Sequence, residues 1–240
     1  MSARLAHGDI HDLGGLRLRL SVNRRARRVS VRIDPARGEA VAVAPSERRL
    51  SDALAFARSR AGWIRERLGE APAAGAGFSP GGEALLEGRS VPLEAVPGAS
   101  AARLVDTPSG LAIRSGGEGE AFSRRVENLL RRMARERLAH HTETHARTLG
   151  LKPPRVGVGD PKSRWGSCTP GRGSIRYSWR LIMAPPEVLD YVAAHEVAHL
   201  VHCDHSPAFR SVVERLVGDH KPHRAWLRAH GARLHAAGRA

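Results

Sequence analysis

The chain has 240 residues, with 39 lysines and arginines against 24 acidic side chains, for a formal net charge of +15. Only Lys152, Lys162 and Lys221 are lysines, so arginine supplies nearly all of the positive charge. Two cysteines are too few for a disulfide framework, no run of eighteen apolar residues exists to span a membrane, and 4% aromatics leave little to stack single-stranded bases.

The first ten residues hold no apolar segment followed by a small-residue cleavage site, so a soluble cytoplasmic protein is expected. Apolar and polar residues then alternate three times, at 16–20, 29–33 and 40–43, a period that predicts half-buried antiparallel strands. Asp34-Pro35-Ala36-Arg37-Gly38 supplies turn residues between the last two. Arg24, Arg25, Arg27, Arg28 and Arg32 form the densest basic cluster, a candidate contact for DNA, nucleotide or another polyanion. Over 51–68 the spacing becomes helical, with Leu54, Ala57, Ala61, Ile64 and Leu68 on one stripe and Ser51 as the expected N-cap.

A Pro/Ala/Gly-rich stretch at 71–77 reads as a loop, followed by a hairpin over 85–93 about Gly88 and a second joining 102–105 to 111–113. Ser115-Gly116-Gly117-Glu118-Gly119 is the best candidate boundary, dividing the chain into domains 1–115 and 116–240. Beyond it, 121–149 reads as one long helix with Val126, Leu129, Leu130, Met133 and Leu138 inward. Short strands are expected at 155–158, 164–168 and 174–181, then helices after Pro185-Pro186, at 207–217 and at 222–234. No internal repeat is visible. The fold class is α+β: a strand-rich N-terminal domain with a helix, then a mainly helical domain with a small sheet.

Chemistry concentrates in His195-Glu196-Val197-Ala198-His199, an HExxH motif on the apolar helix after the two prolines. Residues four apart lie about 40° from one another around a helix, so both imidazoles project from one face and share one ion. Zn²⁺ is the expected cofactor, since catalytic zinc takes three protein ligands and keeps a fourth position for water. Glu196, beside that water, is the expected general base. The third ligand is His205, with His202 and Glu214 as alternatives. A straight helix would carry His202 about 10 Å along the axis from His195, whereas a turn through Cys203-Asp204-His205-Ser206-Pro207 brings His205 back. The spacing to His205 is that of the metzincins, but His202 stands in place of their glycine and no methionine follows Met183 for a Met-turn. Cys203, between candidate ligands, is either a buried hydrophobe or a neighbour of the metal.

The segment Ser163-Arg164-Trp165-Gly166-Ser167-Cys168 is the candidate cleft wall, with Trp165 and Trp179 expected in the core. Arg164, Tyr177 and Arg180 are candidate oxyanion donors. His220 and His223 read as surface residues.

Lys162-Ser163-Arg164-Trp165-Gly166-Ser167-Cys168, Trp179-Arg180-Leu181-Ile182, Asp190-Tyr191-Val192, the HExxH motif and His205-Ser206-Pro207-Ala208-Phe209 together resemble the YgjP-like metallopeptidase family, a relative of the SprT-like zinc proteases among the HExxH zincins. The resemblance implies a zincin-like catalytic domain, metal ligands His195, His199 and His205, and Glu196 as base. Ser178 stands where the family often carries asparagine. A metal-dependent nucleotide pyrophosphatase activity has also been associated with this family, and SprT-like relatives act on DNA-bound proteins.

The expected function is therefore a zinc-dependent hydrolase acting on peptide or protein substrates, with no membrane partner. Two alternatives share the motif: a nucleoside triphosphate pyrophosphatase, for which no Gly-rich phosphate loop is present, and a DNA-associated protein with a structural zinc.

Overall fold

The computed structural model describes residues 5–34, 37–69, 77–161 and 163–238. Residues 1–4, Pro35-Ala36 of the expected turn, 71–76 of the expected loop and Lys162 lie outside the described residues. Contacts divide the chain into two compact units that meet in sequence at Ala76 and Gly77.

The first unit contains β1 (Ile10–Asp12), β2 (Arg17–Val22), β3 (Ser30–Asp34) and β4 (Glu39–Ala44) in the order β1-β2-β4-β3, then α1 (Leu50–Ser59) and α2 (Ala61–Gly69). All six residues of β4 are buried. Leu18 and Leu20 of β2 and Leu50, Ala53 and Ala57 of α1 are fully enclosed in the same cluster. Glu39 is buried too, and its carboxylate accepts from Arg19 Nε at 2.6 Å and pairs with Arg17 Nε at 3.2 Å. The expectation of antiparallel strands throughout fails at the centre, where β2 and β4 run parallel. Alternation reports which face is buried, not strand direction, and the intervening β3 pairs antiparallel with β4 on the side away from β2. The expected single helix is two, interrupted at Arg60, and Arg49 rather than Ser51 is the N-cap. Ser51 lies inside α1 and is exposed. The arginines at 24, 25, 27, 28 and 32 are all exposed.

The second unit opens with β5 (Glu83–Leu86), β6 (Arg89–Ala95), β7 (Arg103–Thr107) and β8 (Gly110–Ser115), ordered β5-β6-β8-β7 with β6 and β8 parallel. This is the strand order of the first sheet, a repeat of topology that the residue pattern does not show. α3 (Gly119–Thr148) follows, then β9 (Arg155–Gly159), β10 (Gly166–Thr169) and β11 (Ser174–Ser178). A 3-10 segment at Trp179–Met183 leads into α4 (Pro186–Ala198), α5 (Pro207–Val217) and α6 (Lys221–Ala236). The class is α+β.

The compact units part at Gly77, whereas the sequence placed the boundary after Ser115. The β5–β6 turn explains the difference. Glu87 (φ 50) and Gly88 (φ 80) both adopt left-handed angles, as a two-residue type I′ hairpin requires. Their N–H groups donate to the carbonyls of Ile182 and Met183, just ahead of α4. A Cβ on Gly88 would lie 3.2 Å from Pro185, so only glycine permits this close seating. Phe78, Leu93 and Ile113 thereby share one core with Phe122, Leu130, Leu138 and Trp179. Each such side chain contributes roughly 1.5–3 kcal/mol on burial.

One carboxylate ties α3 to α4. Asp190 Oδ1 accepts from His145 Nε2 at 2.6 Å and from His141 Nδ1 at 2.7 Å. Burial alone would raise the Asp190 pKa, but the two imidazole hydrogen bonds overcome it and hold the carboxyl well below the usual range. A carboxylate depressed in the folded state stabilises above its unfolded pKa, ~3.9, and loses that contribution as pH falls toward its own lower value. Asp190→Asn is thus expected to melt below the parent at neutral pH, with the gap narrowing below about pH 3.9; calorimetry across pH 2.5–7 tests it, and a gap that widens over the acid end contradicts it.

Candidate metal centre

α4 begins with Pro186 at its first position, where the missing N–H costs nothing, and its last turn carries His195 and Glu196. The helix stops at Ala198 with His199 as C-cap, earlier than the expected turn after His202. The chain then bends without glycine: the Ala198 carbonyl accepts from both Val201 and His202 N–H, and no residue between 199 and 206 has a positive φ. Asp204 Oδ1 accepts from Ser206 N at 3.2 Å, and Ser206 Oγ caps α5 by accepting from Phe209 N at 3.3 Å. These local bonds return His205 to the helix end.

The result is a near-equilateral triangle of imidazoles. Ring centroids are 5.0 Å apart for His195 and His199, 5.2 Å for His195 and His205, and 4.8 Å for His199 and His205. One nitrogen from each lies within 4.8 Å of the other two. His195 Nε2 and His205 Nε2 are 3.3 Å apart, which matches the edge of about 3.3–3.4 Å of a tetrahedron with 2.0–2.1 Å metal–nitrogen bonds. The donor set therefore fits zinc. His199 Nδ1 lies 3.0 Å from the His202 carbonyl, which fixes the proton on Nδ1 and leaves Nε2 free for an ion. Burial, then the neighbouring His199 and His205, push the His195 pKa down to about 4, so this imidazole is neutral and competent as a ligand near pH 7. The His141–His145–Asp190 group differs: its 2.6–2.7 Å separations are hydrogen bonds, too short for a tetrahedral edge.

Glu196 is 6% exposed and makes no hydrogen bond among the described residues. Burial raises its pKa to about 7 against the opposing charge of Arg164. A cleft of about 380 Å³ is lined by Gly166, Ser167 and Cys168 of β10 together with His195, Glu196, His199 and His205. In the small sheet, ordered β10-β11-β9, β10 is an edge strand.

The other expected positions divide clearly. Neither His202 nor Glu214 joins the histidine triangle, and His202 contributes its backbone carbonyl instead. Tyr177 is fully buried with its hydroxyl 2.8 Å from Thr142 Oγ1. Arg180, also buried, is bound to the Asp160 carboxylate and to the Ala237 carbonyl. Of the three candidate oxyanion donors, Arg164 is the exposed one. Trp179 is fully buried, as expected, and Trp165 is partly buried, stacked on His235 at 4.2 Å. Both cysteines are free and line the cleft. Burial, followed by Glu196 and then Cys203, pushes the Cys168 thiol up to about 11, so it stays protonated and is a poor ligand.

The YgjP-like metallopeptidase domain matches residues 27–230. The chain belongs to the YgjP-like metallopeptidase family. Comparison with curated proteins gave no match. Among solved structures, the metallopeptidase zymogen of Pyrococcus abyssi abylysin is similar at 22% identity, covering 39% of this chain and 92% of that chain with a TM-score of 0.35. No helix among the described residues of this YgjP-like protein is long and apolar enough to cross a membrane.

Several residues shape the YgjP-like site in ways that the sequence reading did not specify. Phe209, at the third position of α5, places its ring 4.5–4.9 Å from all three histidines and forms an apolar floor beneath them. Tyr191, one turn before His195, meets that ring edge-on at 6.0 Å. His220 corrects the expectation of a surface residue: it is 9% exposed and stacks on Tyr191 at 5.5 Å. Gly166 is the least legible. A Cβ there would lie 2.5–2.6 Å from the Oε1, Cδ and Cγ atoms of Glu196, so the strand reaches the carboxylate only because this residue has no side chain.

Proposed function

We propose that this YgjP-like metallopeptidase is a zinc-dependent peptidase in which His195, His199 and His205 hold the ion and Glu196 is the general base. The observation that carries the reading is a triangle of imidazoles, one edge of which has the length of a zinc tetrahedron's edge, beside a buried carboxylate with no hydrogen bond among the described residues. Three donors rather than four leave a position for water, which suits a catalytic site better than a structural one.

Bound there, zinc supplies a Lewis acid that acidifies water and polarises the scissile carbonyl. The chain's own groups do the rest. Glu196 takes the proton of the attacking water and passes it to the departing amine. The free edge of β10 offers backbone N–H and C=O groups to an extended peptide, laying it across the cleft as an added strand. Phe209 and Tyr191 exclude water behind the imidazoles, which strengthens their hold on a cation.

Removal of metal with a chelator is expected to abolish hydrolysis of a casein-type substrate, and one equivalent of zinc to restore it. His205→Ala should weaken zinc binding by more than the roughly 10-fold that loss of an outer partner already costs. Competition with a chromophoric chelator measures this. Unchanged zinc affinity in His205→Ala would move the third ligand to His202 or Glu214 and overturn the assignment.

A further inference from the structure

Positive charge is unevenly placed on the first unit. Residues 20–33 hold Arg24, Arg25, Arg27, Arg28 and Arg32 and no acidic residue. All five side chains are exposed, and none forms an ion pair among the described residues. The acids of β3 and β4, Asp34 and Glu39, are already taken up by Arg17 and Arg19. The five guanidinium groups therefore carry charge that the sheet itself does not offset.

The chain holds them along one border of that sheet. In the order β1-β2-β4-β3, β3 is an edge strand and pairs with β4 alone. Asn23 fixes the turn ahead of it. Its N–H donates to the Ala44 carbonyl at 2.9 Å, its carbonyl accepts from Ala26 N–H at 2.9 Å, and its Oδ1 accepts from Arg25 N–H at 3.0 Å. Arg24 and Arg25 are thus the two central residues of a tight turn. Val29, Val31 and Ile33 pack toward the cluster that holds Leu20 and Leu50, which leaves Ser30 and Arg32 on the opposite face with Arg28 just ahead of them. Side chains two residues apart on a strand are separated by about 6.7 Å, close to the spacing of neighbouring phosphates along one nucleic-acid backbone. Charge that only protects an edge from pairing belongs on the strand itself. Arg24, Arg25, Arg27 and Arg28 all precede β3, so protection does not account for them.

We propose that the β3 edge and the turn before it bind the phosphate backbone of duplex DNA without regard to base sequence. The proposal is independent of the peptidase reading. Arginine presents a planar pair of donors that matches two phosphate oxygens. A single strand calls for aromatic stacking partners, and no aromatic residue precedes Phe56 in the chain. A lipid surface calls for an apolar anchor beside the charges, and none of the exposed large apolar residues falls within 20–34. The evenly spaced phosphates of a duplex need neither.

The experiment follows a short fluorescein-labelled DNA duplex of arbitrary sequence by anisotropy as full-length protein is added. Each phosphate contact contributes about −0.9 to the logarithmic salt slope, so five contacts lower affinity on the order of 10²–10³-fold between about 50 and 200 mM salt. Arg28→Gln/Arg32→Gln should weaken binding about 10-fold or more and flatten the slope by about 2. Arg24→Gln/Arg25→Gln, which changes only the turn, should act the same way at an unchanged melting temperature. Arg132→Gln/Arg135→Gln removes equal charge from exposed positions of α3 and is expected to leave both readings near the parent's. Equal losses in all three variants would show that net charge alone attracts DNA, and would overturn the site. Tighter binding of the single strand, of duplex RNA or of phosphatidylserine vesicles, with the same dependence on Arg28 and Arg32, assigns the edge to that partner and overturns the proposal. So does a lack of measurable duplex binding at about 50 mM salt, where the electrostatic attraction is strongest.

Discussion

Glu196→Gln is expected to keep one equivalent of zinc and lose about 10²–10⁴-fold in kcat/KM for peptide hydrolysis, the range supplied by general acid–base catalysis. The amide keeps the shape of the side chain, so the 6% exposed position is filled as before. It cannot take a proton from water. Metal retention follows because the proposed ligands are imidazoles, and Glu196 lies outside the triangle they form. The variant should melt no lower than the parent, since the substitution removes a buried carboxylate that has no hydrogen-bond partner among the described residues. Zinc content by mass spectrometry, a melting curve and a steady-state assay give three separate readings. Full activity with zinc bound would reject Glu196 as the base, whereas lost zinc would show that the carboxylate shapes the metal site instead.

What the sequence could reveal follows from how far apart the interacting residues are. His195, Glu196 and His199 sit on one turn, where helical period alone decides their facing. His205 follows within ten residues, and its return depends on local capping by Asp204 and Ser206, both turn-forming residues that can be recognised from type. Strand direction is a different matter. The Leu-Arg-Leu alternation of β2 would look the same beside a parallel or an antiparallel partner, so β2 against β4 was read wrongly although its buried face was right. The unbroken stripe from Leu54 to Leu68 likewise hides the interruption at Arg60, because apolar spacing persists through the break.

The boundary is instructive for the same reason. Gly-rich residues 115–119 are a genuine turn into α3, and as punctuation they read as a linker. The contacts that join the second sheet to the catalytic helices run from Glu87 and Gly88 to Ile182 and Met183, nearly a hundred residues away. His220 is buried by Tyr191, a partner on another helix. The shared strand order of the two four-stranded sheets is also a property of pairing, not of residue type.

Gly166→Ala carries the long-range part of the site into a measurement. One methyl group added to β10 would occupy space 2.5–2.6 Å from three atoms of the Glu196 side chain. Carbon and oxygen do not approach so closely, so either the strand or the carboxylate must move. The strand is held by β11 through the Gly166–Tyr177 pairing, and Tyr177 is fully buried with its hydroxyl on Thr142 of α3. Glu196 yields more easily, because its carboxylate has no hydrogen bond to hold it. A displacement on the order of 1 Å costs about 10²-fold when a reacting group leaves its productive position. The expected result is a loss of that order in kcat, with zinc content unchanged and the melting temperature close to the parent's. Gly166→Ala in the Glu196→Gln background should then add little, since both changes act through one carboxylate. Multiplicative losses in the double variant would show that Gly166 acts on the substrate strand, not on Glu196.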